Sequence, residues 1–300
     1  MIPSYLEKLT IKDLRKRADT LQQILANCKI CPNECTVNRS EGDRGTYCHS
    51  TDEIKISSYA PHFGEEPPLV GFNGSGTIFF ANCNLSCVFC QNYDISQLGH
   101  GKIISTEDLA NIMLWLQIQG CHNINLVTPT HFVPQIVSAL VIAVDKGLEI
   151  PIVYNCGGYE SVETIKLLED IVDIYMPDIK YSDNKTAAQL SGIKNYWDVV
   201  QAAVKEMYRQ VGDLHINKRG IAKRGLLIRH LVLPNDFAGS QKVVDLIAND
   251  ISRNTYINIM DQYYPAYMAE QFSGINRRIT NDEFKRVIHY AEQKGLTRGF

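Results

Sequence analysis

Apolar positions change their rhythm near residue 76. Before it there is one amphipathic stretch: Leu14, Ala18, Leu21 and Leu25 recur at helical spacing and predict a helix over 11–27. The segment from Cys28 to Cys48 has no such period, carries "NRSEGDRG" and predicts a loop-rich module. Residues 49–75 hold "APHFGEEPPLVGFNGSG", dense in proline and glycine, and predict an irregular connection. From Gly76 onward, short apolar runs alternate with amphipathic stretches. Strands are predicted at 77–82, 123–128, 151–155, 173–178, 226–233 and 256–261, mostly apolar as expected for parallel strands covered on both faces. Helices are predicted after Ser105 as far as Gly120, over about 134–147, 160–170 and 192–209, and from Thr280 to just before Gly295. "STED" supplies an N-cap with an acidic first turn, and "TNDE" reads as a capping box.

Six strand–helix units in series imply a parallel α/β sheet, two units short of a closed eight-stranded barrel. In such folds chemistry gathers at the C-terminal strand ends. The change of rhythm divides the chain into 1–75, a helix with a cysteine-rich metal-binding module, and 76–300, a core barrel with a C-terminal helix. The net charge of -3 and pI near 6.2 argue against a nucleic-acid or membrane-surface role. The polar N-terminus "MIPSYLEKLTIKDLRKR" does not read as a signal peptide, and no apolar run approaches the ~20 residues of a membrane span. A cytoplasmic location is therefore expected. The cytoplasm is reducing, so the nine cysteines read as metal ligands or reactive groups and not as disulfides.

They fall into two clusters and two single residues. In "CNLSCVFC", Cys83, Cys87 and Cys90 follow the first barrel strand at C-x3-C-x2-C spacing. Three thiolates on a [4Fe–4S] cubane leave one iron without a protein ligand, an open position of the kind catalytic metal sites keep. S-adenosylmethionine (SAM) carries an amino group and a carboxylate that can chelate such an iron, and SAM with an iron–sulfur cluster is a known source of radical chemistry. Here the chain resembles the radical SAM superfamily: C-x3-C-x-aromatic-C stands after the first strand of a six-unit α/β chain. "CQNYDIS", "DIK" and "IRHLVLPN" resemble relatives of pyruvate formate-lyase activating enzyme. "CKICPNECTVNRSEGDRGTYC" and "PHFGEEPPLVGFNGSGTIFF" are similar to a PflX-like branch of that group.

The resemblance covers most of 28–265 and implies a partial (β/α)6 TIM-like barrel and an enzyme that cleaves SAM reductively. It further implies a reduced flavodoxin or ferredoxin as electron donor, and hydrogen abstraction from a glycyl-radical enzyme or a small molecule. It places Phe89 near the adenine, Asp178 at the SAM carboxylate and Lys180 in the active site. Met176 matches a residue whose backbone carbonyl joins a cation site in the activating enzymes, and Arg229 a strand residue near the cofactor. Asn155 stands where those enzymes have an Asp, which removes a charge from that cation site. Tyr263 stands where they use a His. The largest departure is "VTPTHF", where many members carry G-G-E-P. Here Thr128 and Thr130 offer hydroxyls and carbonyls to the SAM ammonium. His131 reads either as a substrate-side acid or base or as a hydrogen-bonded loop histidine.

Cys28, Cys31, Cys35 and Cys48, spaced C-x2-C-x3-C-x12-C, can close a site completely, for structural zinc or an auxiliary iron–sulfur cluster. Cys121 reads as a core residue, Cys156 as pocket lining or inert, and Glu65 and Glu66 either as residues that reach the active site or, the favoured reading, as a surface turn. Lys218, Arg219, Lys223 and Arg224 read either as a contact for a protein or nucleic-acid partner or, more commonly for such a run, as a solvated turn. The competing reading of the whole chain is a non-catalytic iron–sulfur or zinc protein, an electron carrier or redox sensor. It predicts a cluster that forms without SAM being bound or cleaved.

Overall fold

The computed structural model describes residues 1–300. Nine strands are present: β1 (Ile54–His62), β2 (Ser75–Phe80), β3 (Lys102–Ile104), β4 (Ile124–Val127), β5 (Ile152–Cys156), β6 (Ile174–Pro177), β7 (His215–Ile216), β8 (Ala222–Leu231) and β9 (Tyr256–Met260). The order is β3-β1-β2-β4-β5-β6-β8-β7, with β9 also on β8. β2, β4, β5, β6, β8 and β9 run parallel. β9 does not pair with β2, so the sheet is an open barrel of six parallel strands. The mixed α/β partial barrel expected from the sequence is the fold observed.

Residues 49–75 depart from the expected irregular connection. They contain β1, nine residues long, which runs antiparallel to β2 from Ile56↔Phe80 to His62↔Ser75. The boundary drawn at 75/76 is thus crossed by a strand pair. The N-terminal helix Ile11–Ile24 opens with a Thr10–Asp13 capping box and buries Leu14, Ala18 and Leu21. These residues join one hydrophobic core that runs from Tyr5 to Leu296. Capping boxes also start Thr106–Ile118, at Ser105–Asp108, and Asn281–Gln293, at Thr280–Glu283. Helices Asn184–Ser191 and Ser240–Leu246 and the short β3 and β7 complete what the apolar pattern did not announce.

Strand alternation positions the site. Val153, Ile174, Met176 and Leu227 pack with Leu69 in a small apolar cluster. Two residues further along their strands stand Asn155, Asp178 and Arg229, on the same face because side chains repeat with period two. Register brings them side by side: Asn155 pairs with Met176, Asp178 bridges Arg229, and Arg229 pairs with Asn258. An apolar floor therefore carries a polar row just below the C-terminal rim.

Candidate active site

A cavity of about 250 Å³ opens at that rim, and Cys83, Cys87, Cys90, Phe89, Thr128, Asn155, Asp178, Lys180 and Arg229 all line it. The three cysteines are free thiols on the loop after β2. Each sulfur has a polar protein contact, and Cys83 Sγ also lies 3.8 Å from Asn84 Oδ1. The Leu85 amide donates to Cys83 Sγ at 3.4 Å, Ser191 Oγ lies 2.9 Å from Cys87 Sγ, and Ser96 Oγ 3.0 Å from Cys90 Sγ. Burial pushes the Cys83 thiol well up and Cys87 up to about 11, the latter partly offset by Lys180. Free thiols spread around one cavity fit a thiolate-held cluster.

Opposite them is a charge cluster. Lys180 Nζ donates to Asp178 Oδ2 at 2.8 Å, and Arg229 Nε to Asp178 Oδ1 at 2.7 Å. Arg229 Nη2 donates to Asn155 Oδ1 at 2.8 Å, and its Nη1 lies 3.5 Å from Glu65 Oε2. Burial works against the charge on Asp178, but Arg229 and Lys180 outweigh it and hold the carboxyl below its ordinary range. Burial likewise opposes the charge on Lys180, and Asp178 outweighs it, so the ammonium stays protonated. Glu65, read as reaching the active site or as lying on a surface turn, has a side chain only 8% exposed that faces Arg229; burial raises its pKa. Glu66 is also buried and accepts a bond from Asn258 of β9 at 2.9 Å.

Four expected site residues do not line the cavity. The 3-10 turn Thr130–Phe132 that follows β4 carries Thr130 and His131 into the core. His131 Nε2 sits 2.8 Å from the Ala81 carbonyl, and burial pushes its pKa down to about 3. Its ring is fully buried and does not line the cavity, the placement that the hydrogen-bonded loop reading describes. Thr130 donates to Glu160 Oε1 at 2.7 Å, and its side chain does not line the cavity. Met176 belongs to the apolar floor. Tyr263 donates its hydroxyl to the Ile275 carbonyl, and its ring packs on Phe89 at 5.8 Å, supporting that ring from behind.

Thr128 does line the cavity and sits at φ 58, a left-handed conformation that costs a β-branched residue about 1–3 kcal/mol. Thr128→Gly removes that strain. The expected result is a Tm that holds or rises together with SAM binding several-fold weaker, because a more flexible loop presents the carbonyls less well. A lower Tm would show that the side chain itself holds the loop.

Beneath Cys156 lies a buried acid that the sequence did not single out. Glu160 accepts bonds from Thr130 and from Tyr154, at 2.7 and 2.9 Å. Burial pushes its pKa up to about 7, offset in part by those bonds. The folded-state value exceeds the unfolded one, so protonation favours the fold; this contribution is complete below the unfolded value and is lost as pH rises through about 7. The stability gap between wild type and Glu160→Gln should therefore move in the variant's favour by at least about 1 kcal/mol between pH 5 and pH 8. Urea unfolding at both pH values checks this, and a gap independent of pH would refute it.

An open parallel barrel whose rim sets three free thiols against an Asp–Lys–Arg cluster defines a cofactor-dependent enzyme. Comparison with known proteins agrees. The family model described as the Radical SAM superfamily matches residues 77–217. Uncharacterized protein MJ0674 of Methanocaldococcus jannaschii is 34% identical over 293 residues, covering 93% of this chain and 78% of its own. A second protein of that organism, MJ0808, is 28% identical over 170 residues, covering 51% of this chain and 49% of its own. The crystal structure of HydG, a maturase of the [FeFe]-hydrogenase, has a TM-score of 0.52 at 15% identity, covering 98% of this chain and 64% of that one. That likeness shows a shared fold, and the chain spans about half of MJ0808 and less than two thirds of HydG. The chain belongs to the radical SAM superfamily, whose members use a [4Fe–4S] cluster and SAM. No helix is long and apolar enough to cross a membrane.

Proposed function

We propose that this chain holds a [4Fe–4S] cluster on Cys83, Cys87 and Cys90, which when reduced cleaves SAM to methionine and a 5′-deoxyadenosyl radical that abstracts hydrogen from a substrate. The observation that carries this is that the three thiols and the Asp178–Lys180–Arg229 cluster line one cavity. Asp178 fixes both cations in place, so the ammonium of Lys180 and the guanidinium of Arg229 stand ready for a carboxylate without rearranging. The Thr128 backbone supplies carbonyl dipoles for an ammonium. Phe89, held between Tyr181 and Tyr263, offers a rigid aromatic wall for an adenine. Gln91, Asn92 and Gln262 also line the cavity, a neutral polar set suited to a peptide backbone. This supports a protein substrate such as a glycyl-radical enzyme, with a reduced flavodoxin or ferredoxin as donor.

The test is anaerobic reconstitution with iron and sulfide, reduction with dithionite, addition of SAM, and mass-spectrometric quantification of 5′-deoxyadenosine and methionine. Both products in equal amounts are expected. An intact, reduced cluster that leaves SAM uncleaved would overturn the reading in favour of electron transfer. For the substrate, co-purification with a glycyl-radical protein and a glycyl EPR signal on mixing are expected.

A further inference from the structure

The loop that carries Cys28, Cys31, Cys35 and Cys48 is folded around its sulfurs at visible cost. Glu34 (φ 39) and Thr36 (φ 57) flank Cys35, and His49 (φ 52) follows Cys48, all in the left-handed region that non-glycine residues avoid. These conformations turn cysteines of the module inward: Cys28, Cys31 and Cys48 are buried, and all four are free. At Gly45 a Cβ would stand 2.4 Å from Cys48 Sγ and 4.0 Å from Cys35 Sγ, so the chain keeps that position clear for the two sulfurs. The segment has little apolar content to repay the strain.

Its charge is also unbalanced. Arg39 is fully buried, yet no carboxylate lies within ion-pair distance of it. Its Nε and Nη2 both donate to the neutral Thr51 carbonyl, at 3.2 and 2.5 Å, and its Nη1 lies 3.9 Å from Cys28 Sγ. A guanidinium does not deprotonate in proteins, and an unpaired buried charge costs several kcal/mol. The missing anion must come from the sulfurs, and four thiols become anionic when they bind metal as thiolates.

The spacing favours a cluster over one ion. Thiolates on zinc lie about 2.3 Å from it and therefore crowd together. Cys28, Cys31 and Cys35 carry, in reverse order, the two spacings of the Cys83, Cys87 and Cys90 loop, and Cys48 adds the fourth thiol that the latter loop lacks. We propose that Cys28, Cys31, Cys35 and Cys48 hold a second [4Fe–4S] cluster, fully ligated by protein, with Arg39 as its fixed counter-charge. Four thiolates on a [4Fe–4S]2+ core leave a net charge of about −2, which the guanidinium half offsets. The Asn33 side-chain amide donates to the Asn84 carbonyl at 2.9 Å, so this cluster sits beside the Cys83 loop.

The test leaves the module itself untouched. The full chain and its triple variant Cys83→Ala, Cys87→Ala, Cys90→Ala are reconstituted anaerobically, and iron, sulfide and zinc are counted per chain. The expected result is about eight irons and eight sulfides in wild type and about four of each in the triple variant, with a reducible EPR signal. A triple variant without iron, or with one zinc, overturns the proposal. SAM cleavage is read separately, so a triple variant that keeps its iron beside a wild type that fails to cleave SAM sinks the functional reading alone. For the counter-charge, Arg39→Met in the triple background should lose at least half of the remaining iron, and Arg39→Lys should keep it. Full iron with an unchanged midpoint potential in Arg39→Met would refute that role.

Discussion

Cys87→Ala abolishes 5′-deoxyadenosine formation, with an expected loss of at least about 10³-fold, equivalent to about 4 kcal/mol of barrier. A site with three thiols has none to spare. The fold should barely notice the change. Cys87 Sγ contacts Ser191 Oγ, and that hydroxyl keeps its 2.8 Å bond to Tyr181 when the sulfur is gone. The stability cost is then about 1 kcal/mol, the scale of one lost hydrogen bond. Product formation and thermal unfolding of the same preparation separate the two effects. A variant that retains a tenth of wild-type cleavage would remove Cys87 from the cluster.

Arg229→Met is the largest stability change expected. The arginine holds Asp178 at 2.7 Å and Asn155 at 2.8 Å, and it faces Glu65 at 3.5 Å. Its removal leaves Asp178 with Lys180 alone and Glu65 with only the His62 ring, at 3.5 Å, within ion-pair distance. Breaking a buried pair on one side costs about 3–5 kcal/mol, a fall in Tm of roughly 6–20 °C. Asp178→Asn in the same chain should restore part of the loss, because the uncompensated charge goes with it. SAM binding should fail in both. A single variant within about 1 kcal/mol of wild type would mean that water reaches this cluster freely and that it is no rigid cofactor clamp.

The parallel strands were legible because covered strands are apolar in short bounded runs, and "TIFFAN" or "DIYMPD" admits little else. β1 was not. "IKISSYAPH" includes a proline and exposes its central residues, so it resembles the loops around it. Helices Asn184–Ser191 and Ser240–Leu246 are too short to establish a period. At the site, spacing announced the Cys83 loop, and position at strand ends announced Asp178 and Lys180. Direction was not encoded in the same way. Thr128, Thr130 and His131 stand in one run, and only the 3-10 turn decides that the first faces the cavity and the others the core. Glu65 could not be decided between the site and a surface turn, since its partner Arg229 is distant in sequence.

The pairing of β1 with β2 also limits how this enzyme can be dissected. A fragment that begins at the apparent boundary near residue 76 would keep every residue of the Cys83 loop and lose the strand that hydrogen-bonds β2 from Ser75 to Phe80. It would leave the first barrel strand as a bare, largely apolar edge, a template for pairing with other copies. Such a truncation would report on aggregation and not on catalysis. Any protein that borrows this barrel by recombination must therefore take β1 with it, because that strand is stitched to the barrel by backbone and not merely placed before it.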